Sequence, residues 1–263
     1  MPGVGFFCPD GISIPFEECF KHCRLGQRCL SLPTLLELAH QREWTGIPSV
    51  TQLIKGTRQA FLEITRPYFF DPKSRAFSLL GTMVHSRLQV VPDKVLPLSE
   101  MELSLSLGNG LKMQMTGIPD IYDAVEKTLY DYKTSGSFAV VKAMNGEKKE
   151  WVLQLNGYRL MVEQLGYEVE RLVIQAIARD GNTWIAKKRG IDEAIIMVEM
   201  LRMNDDEVLA YFRKKAKALH EALETGFCER CSEEETWQGR RCQKYCDVAV
   251  WCEEIDRREV QNV

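Results

Sequence analysis

The chain has 263 residues, with 45% hydrophobic and 27% charged side chains, enough apolar material for one sizeable core. Its apolar runs are broken by charge well short of the ~20 residues a membrane span needs, and the N-terminus has no basic stretch followed by an apolar one, so a soluble, cytoplasmic protein is expected. A formal net charge of −3, from 34 basic against 37 acidic side chains, excludes global attraction to nucleic acid and leaves binding to local basic faces. Candidates for such faces are "RKKAK" at 213–217, "KKR" at 187–189 and "GRRCQK" at 239–244, runs that are equally at home on solvated helix faces or turns.

The first segment carries Cys8, Cys19, Cys23 and Cys29 in the spacing C-x10-C-x3-C-x5-C. Next, "TLLELAHQREW" reads as a helix, and "SVTQLIKGTRQAFLEITRPYF" as a second, capped by Ser49 and halted near Pro67. "RAFSLLGTMVHSRLQVV" has apolar residues at i, i+3, i+4 and is predicted helical, with His85 one turn after Gly81 and Thr82. Three alternating segments follow, "MELSLSLG", "LKMQMTGIPDIYDAV" and "KTLYDYKTS", read as sequential strands of a mixed or antiparallel sheet, with Gly108-Asn109-Gly110 as the first turn. "EKKEWVLQLNGYRLMVEQLG" returns to helical period and ends on Gly166 as a C′ glycine. "EVERLVIQAIARDG" and "WIAKKR" are read as further strands, and "NDDEVLAYFRKKAKALHEALETG" as a long basic-faced helix.

At the far end, Cys231, Cys242, Cys246 and Cys252 repeat the first spacing, interval for interval, with Cys228 left over as a competitor of Cys231. None of the nine cysteines lies between these two clusters. Thiolates are preferred ligands of zinc and iron–sulfur centres, so both quartets are expected to be structural metal sites. The pairs Cys19/Cys23 and Cys242/Cys246 stand at i, i+4, which puts both sulfurs of a pair on one face if each lies in a helix. Either each quartet closes its own zinc site, or an N-terminal cysteine joins Cys242, Cys246 and Cys252 around a 4Fe-4S cluster. The organisation expected is an N-terminal cysteine module at 1–30, a core at 31–226 and a C-terminal cysteine module at 227–263.

The chemistry concentrates in "GIPDIYDAVEKTLYDYKTSG". Asp131 and Lys133, two apart on a strand, project from one face, while the Tyr132 side chain points away and leaves its carbonyl available. Asp120 reaches the same point if the two strands are neighbours. Two carboxylates and an ammonium are what metal-dependent phosphodiester cleavage requires: oxygen ligands for a divalent cation and a positive group for the attacking water or the developing charge. Gln154 and Tyr158, four apart on the next helix, face the same sheet, and His85 comes from the helix before it.

In order, "GTMVH", "GIPD", "DYKT" and "QLNGY" resemble the PD-(D/E)XK nucleases of the RecB-like branch, which includes CRISPR-associated and phage exonucleases. The resemblance spans residues 81–158. It implies an α/β (α+β) fold with a restriction-endonuclease-like core, a mixed central sheet flanked by helices. It implies Mg2+ or Mn2+ held by His85, Asp120, Asp131 and the Tyr132 carbonyl, with Lys133 the catalytic lysine and Gln154 and Tyr158 a pair contacting the site and the DNA. Glu102, in "EMELSL", matches an extra glutamate used by some members. The activity implied is DNA hydrolysis by an exonuclease on single strands or duplex ends, in recombination, repair, or phage or CRISPR DNA processing, alongside a recombination, replication or CRISPR-adaptation partner. A structure-specific endonuclease or nickase, and a non-catalytic DNA-binding scaffold, are the competing readings; a zinc-stabilised transcription factor reading DNA through the helix at 204–226 lacks helix-turn-helix spacing. Relatives often carry an iron–sulfur cluster on one N-terminal and three C-terminal cysteines opening C-x2-C. This chain departs from that with its C-x3-C-x5-C run and its complete N-terminal quartet.

Overall fold

The computed structural model describes residues 3–88, 95–97, 102–108 and 113–261. The turn expected at 108–110 lies partly outside them. The chain forms two compact units: Met1–Pro48, Lys55–Leu79 and Lys215–Val263 make one, and Ser49–Ile54 with Leu80–Lys214 make the other. The class is α+β, with helices around small mixed and antiparallel sheets.

The first unit begins with β1 (Gly3–Phe7) and β2 (Ser13–Pro15), an antiparallel pair, followed by α1 (Phe16–Lys21) and α2 (Leu32–Ala39). The segment expected as one helix over 49–69 divides into α3 (Val50–Leu53), which belongs to the second unit, and α4 (Thr57–Thr65). Ser49 does cap it, in a capping box with Gln52. The break comes at Gly56, at the N-cap of α4, the one glycine in the segment and a weak helix former. A Cβ on Gly56 would also lie 2.4 Å from Cys231 Sγ, so the backbone passes that thiol where only glycine fits. β3 (Tyr68–Phe70) pairs parallel to β1. Phe6, Ile14, Leu35 and Phe70 make a small core there, with Phe6 edge-on to Phe70 at 5.2 Å.

α5 (Ala76–Leu88) and β4 (Val95–Pro97) lead to the β5 (Leu103–Ser106) and β6 (Gln114–Gly117) hairpin, in antiparallel register from Leu103↔Gly117 to Ser106↔Gln114. The strand expected over 111–125 is interrupted after Gly117, because Pro119 has no N–H to give a ladder, and resumes as β7 (Ile121–Asp123). β8 (Thr128–Ser135) pairs antiparallel with β7 and, after the helical crossover of α6 (Ser137–Met144) and α7 (Lys149–Gln164), parallel with β9 (Arg171–Ala178) through eight consecutive residues. Gly166 follows α7 at φ +90°, as a C′ glycine should.

"WIAKKR" is not a strand. It forms the short helix α8 (Trp184–Lys188), capped by Thr183, whose hydroxyl accepts the Ala186 N–H at 3.2 Å. The strand beside β9 is instead β10 (Ile195–Glu199), and the mixed five-stranded sheet runs β10-β9-β8-β7-β4. α9 (Asp205–Thr225) occupies the length expected for the long helix. Within "RKKAK", Lys215 is buried, donating to Glu235 Oε1 at 2.5 Å and to the Lys55 carbonyl at 2.7 Å. α10 (Arg240–Lys244) and α11 (Ala249–Gln261) end the chain.

Candidate active site

β8 lies mid-sheet, and Asp131 on it is 2% exposed. The β7–β8 register, with Ile121 opposite Tyr130, carries Asp120 to the position facing Asp131. Asp120 bridges two elements. Its Oδ2 accepts the Tyr132 N–H at 2.8 Å, and its Oδ1 lies 2.8 Å from His85 Nδ1 on α5. The His85 ring also meets the Tyr132 ring edge-on, at 6.0 Å. Lys133 ion-pairs with Asp131, as side chains two apart on a strand can.

α7 closes the group from the other side. Gln154 Nε2 donates to Asp131 Oδ1 at 3.2 Å and to the Tyr158 hydroxyl at 3.2 Å. A Cβ on Gly117 of β6 would stand 2.7 Å from the Tyr158 ring, so glycine there makes room for Tyr158. α7 itself is pinned by buried polar groups. Asn156 donates to the Val152 and Leu201 carbonyls and accepts the Met203 N–H, and Arg159 pairs with Glu163 and Asp205 at 2.7 Å each. These bonds fix the helix in one orientation, although Arg159 Nε is buried without a hydrogen-bond partner.

The electrostatics follow from these contacts. Hydrogen bonding to Asp120 raises His85 above its usual 6.5, outweighing burial. Burial raises Asp131 above the usual carboxylate value, and Lys133 offsets only part of that. Asp131 Oδ2 is buried and, although Lys133 Nζ is in ion-pair contact, it accepts no hydrogen bond of good geometry. A buried carboxylate oxygen whose one close contact is a cation, here the Lys133 ammonium, is also a position a metal cation can take. As they stand, the carboxylates are engaged by His85 and Lys133, and among the described residues no three His, Cys, Asp or Glu side chains are close enough to hold a metal ion.

His85, Asp120, Asp131, Lys133, Gln154 and Tyr158 are thus brought together on one sheet face, as their spacing predicts. Glu102 is exposed just ahead of β5.

The cysteines are all free thiols, and the expectation of helix-borne i, i+4 pairs fails in both modules. Cys19 lies on α1 and Cys242 on α10, but both helices stop before Cys23 and Cys246. The two helices are single short turns, too brief to span four residues beyond those positions. In the C-terminal module Cys228 lies near Cys231. Burial pushes its thiol up to about 11, with Cys231 beside it adding to the rise and the Arg58 guanidinium opposing it. Cys246 is pushed to about 12, mainly by burial, with Cys242 and Cys231 among its neighbours; Cys242 is exposed. The C-x2-C spacing of Cys228 and Cys231 was the available signal for their proximity.

Among the described residues, no helix is long and apolar enough to cross a membrane. No family model matches the chain, and no curated protein does. Among solved structures, the crystal structure of SSO0001 is similar at 16% identity and a TM-score of 0.49, covering 82% of this chain and 90% of that one.

Proposed function

We propose that this chain is a metal-dependent deoxyribonuclease, a phosphodiester hydrolase with a restriction-endonuclease-like core. The observation that carries this reading is the buried Asp131, facing Asp120 across the β7–β8 pair and joined to Lys133 and Gln154, on a sheet face that His85 reaches from α5. A core ion pair needs neither the second carboxylate nor the histidine, and burying an incompletely bonded carboxylate destabilises a fold, so the arrangement has chemical use rather than structural benefit.

The donor set of one imidazole, two carboxylates and the Tyr132 carbonyl suits Mg2+ or Mn2+, and the Asp131 Oδ2 lone pair is available to it. Bound there, the ion supplies Lewis-acid polarisation of a phosphate and acidifies water. Asp120 and Asp131 orient it, with Gln154 fixing the Asp131 carboxylate plane by its hydrogen bond. Lys133 gives up its contact with Asp131 and turns its ammonium to the attacking water and the phosphorane charge. The water oxygen would bond to phosphorus as the P–O ester bond breaks, the proton shed by that water passing to solvent and the leaving alkoxide taking one from a solvent water. Tyr158, buried beside Gly117 and bonded by Gln154, supports the Gln154 amide and through it the Asp131 carboxylate.

The reading is tested with end-labelled single-stranded and duplex DNA in Mg2+, Mn2+ or EDTA, beside Asp131→Ala. Metal-dependent cleavage lost in the variant supports it, and the product ladder separates an end-directed exonuclease from an endonuclease. Binding without cleavage under every metal overturns it in favour of a scaffold.

A further inference from the structure

The N-terminal cysteines present a second chemistry that the nuclease reading does not use. Cys8, Cys19, Cys23 and Cys29 line one cavity of about 20 Å3, together with Arg24 and Arg28. They arrive from separate pieces of chain. Cys8 closes a tight turn after β1, its N–H donating to the Ile12 carbonyl and its carbonyl accepting the Gly11 N–H, each at 2.8 Å. Cys19 comes from α1, and Cys23 opens a turn through Gly26, which sits at φ +79°.

Core packing accounts for part of this convergence: Cys8, Cys19 and Cys29 lean on the Phe6, Ile14, Leu35 and Phe70 cluster, while the Cys23 thiol donates to the Gln27 carbonyl at 3.0 Å. Within residues 8–31 only Ile14 is buried, and segments with so little apolar burial need a covalent or metal staple to hold one conformation. Charge points the same way. Four thiolates around a divalent ion carry −2 in total, and two guanidinium groups border the cavity. Arg28 is anchored there by the Cys19 and Phe20 carbonyls, at 2.5 and 2.8 Å. All four cysteines of this one module line the same small cavity of about 20 Å3, and four thiolates complete the tetrahedral shell of a single ion with no ligand from elsewhere.

We propose that Cys8, Cys19, Cys23 and Cys29 hold one structural zinc ion in a closed tetrahedral site of their own, without ligands from the cysteines at 228–252. The thiols stand wider than ligand distance, and the ion draws them inward over their turns, releasing the thiol protons as it binds. No coordination position is left for substrate, so the ion is structural and does not take part in hydrolysis.

The full chain, purified without added metal, is analysed for zinc, iron and sulfide beside Cys19→Ser/Cys23→Ser and Cys246→Ser/Cys252→Ser. The first variant loses one zinc per chain relative to wild type and the second retains it; equal zinc in wild type and the first variant, or iron with sulfide lost in place of zinc, overturns the site. Should the first variant fail to fold, the wild-type chain is alkylated before and after chelation and mapped by mass spectrometry. Protection of all four thiols that chelation removes supports the site, and equal labelling in both states overturns it. Neither measurement depends on nuclease activity.

Discussion

Gln154, in the middle of α7, donates to the buried Asp131 carboxylate on β8 at 3.2 Å, and the same amide donates to Tyr158 one turn further on. One side chain thereby ties the helix to the sheet at the point where Asp131 is least solvated. Gln154→Ala should leave the fold intact, because the Asn156 and Arg159 networks hold α7 independently, while lowering cleavage about 10- to 100-fold, as loss of a ligand-orienting partner does. Single-turnover cleavage kinetics beside thermal denaturation check this.

Asp131→Asn separates chemistry from architecture. Neutralising a buried carboxylate removes its desolvation penalty, so stability should fall by no more than about 1 kcal/mol while cleavage disappears. A loss of about 3–5 kcal/mol in urea denaturation would instead mark the Asp131–Lys133 contact as a structural pair.

His85 sets the pH dependence. Its folded-state value lies above 6.5 through its bond to Asp120, so protonated His85 contributes stability that is present below pH 6.5 and lost as pH rises through the folded value. Ligation needs the neutral ring, so cleavage should rise with pH over that same window above 6.5. His85→Gln should remove the rising limb of the pH–rate profile; a limb that persists assigns the titration elsewhere.

Gly117→Ala tests the fit under Tyr158. Its Cβ would lie 2.7 and 2.9 Å from two ring carbons, closer than real contacts, so the substitution should cost about 1–3 kcal/mol and displace the hydroxyl from Gln154. Pairing it with Tyr158→Leu should recover part of the stability, measured as a double-mutant cycle.

The Lys215–Glu235 contact governs acid stability in the first unit. Burial raises Glu235, but its bonds from Lys215 and the Ser232 N–H outweigh this and hold it below 4.5. The contribution is therefore full above pH 4.5 and is lost as pH falls through the depressed value. Lys215→Met should flatten that part of the stability–pH curve and cost about 1–3 kcal/mol near neutrality.

Asp131, Lys133, Gln154 and Tyr158 were legible because they sit in elements whose period is clear, alternation across the first two and i, i+4 spacing of the others; Asp120 lies in the break between β6 and β7 and was legible only from its place in "GIPD". What escaped is short or governed by single residues. "WIAKKR" is three apolar residues followed by three basic ones, with no alternation to mark a strand; Thr183 ahead of it supplies an N-cap, and a five-residue helix offers too few positions for periodicity to speak. β10 reads "IIMVE", an unbroken run that cannot be told from buried helix by pattern alone. Helix ends decided the cysteine pairs: four-residue spacing implies one face only where the helix continues, and both helices stop between the partners.

The eight-residue parallel ladder of β8 on β9 has a consequence for motion. The amide protons of β8 that bond into the ladder with β9 can reach solvent only when the central sheet opens, an event near the free energy of global unfolding, about 5–15 kcal/mol. α5 has no buried residue, so its amides, around His85, are open to local fraying. Hydrogen exchange should therefore divide the site into a slow floor, which carries both Asp131 and Lys133, and a fast wall. Any ligand that reaches this face would meet a yielding wall above a floor that keeps the spacing of Asp131 and Lys133.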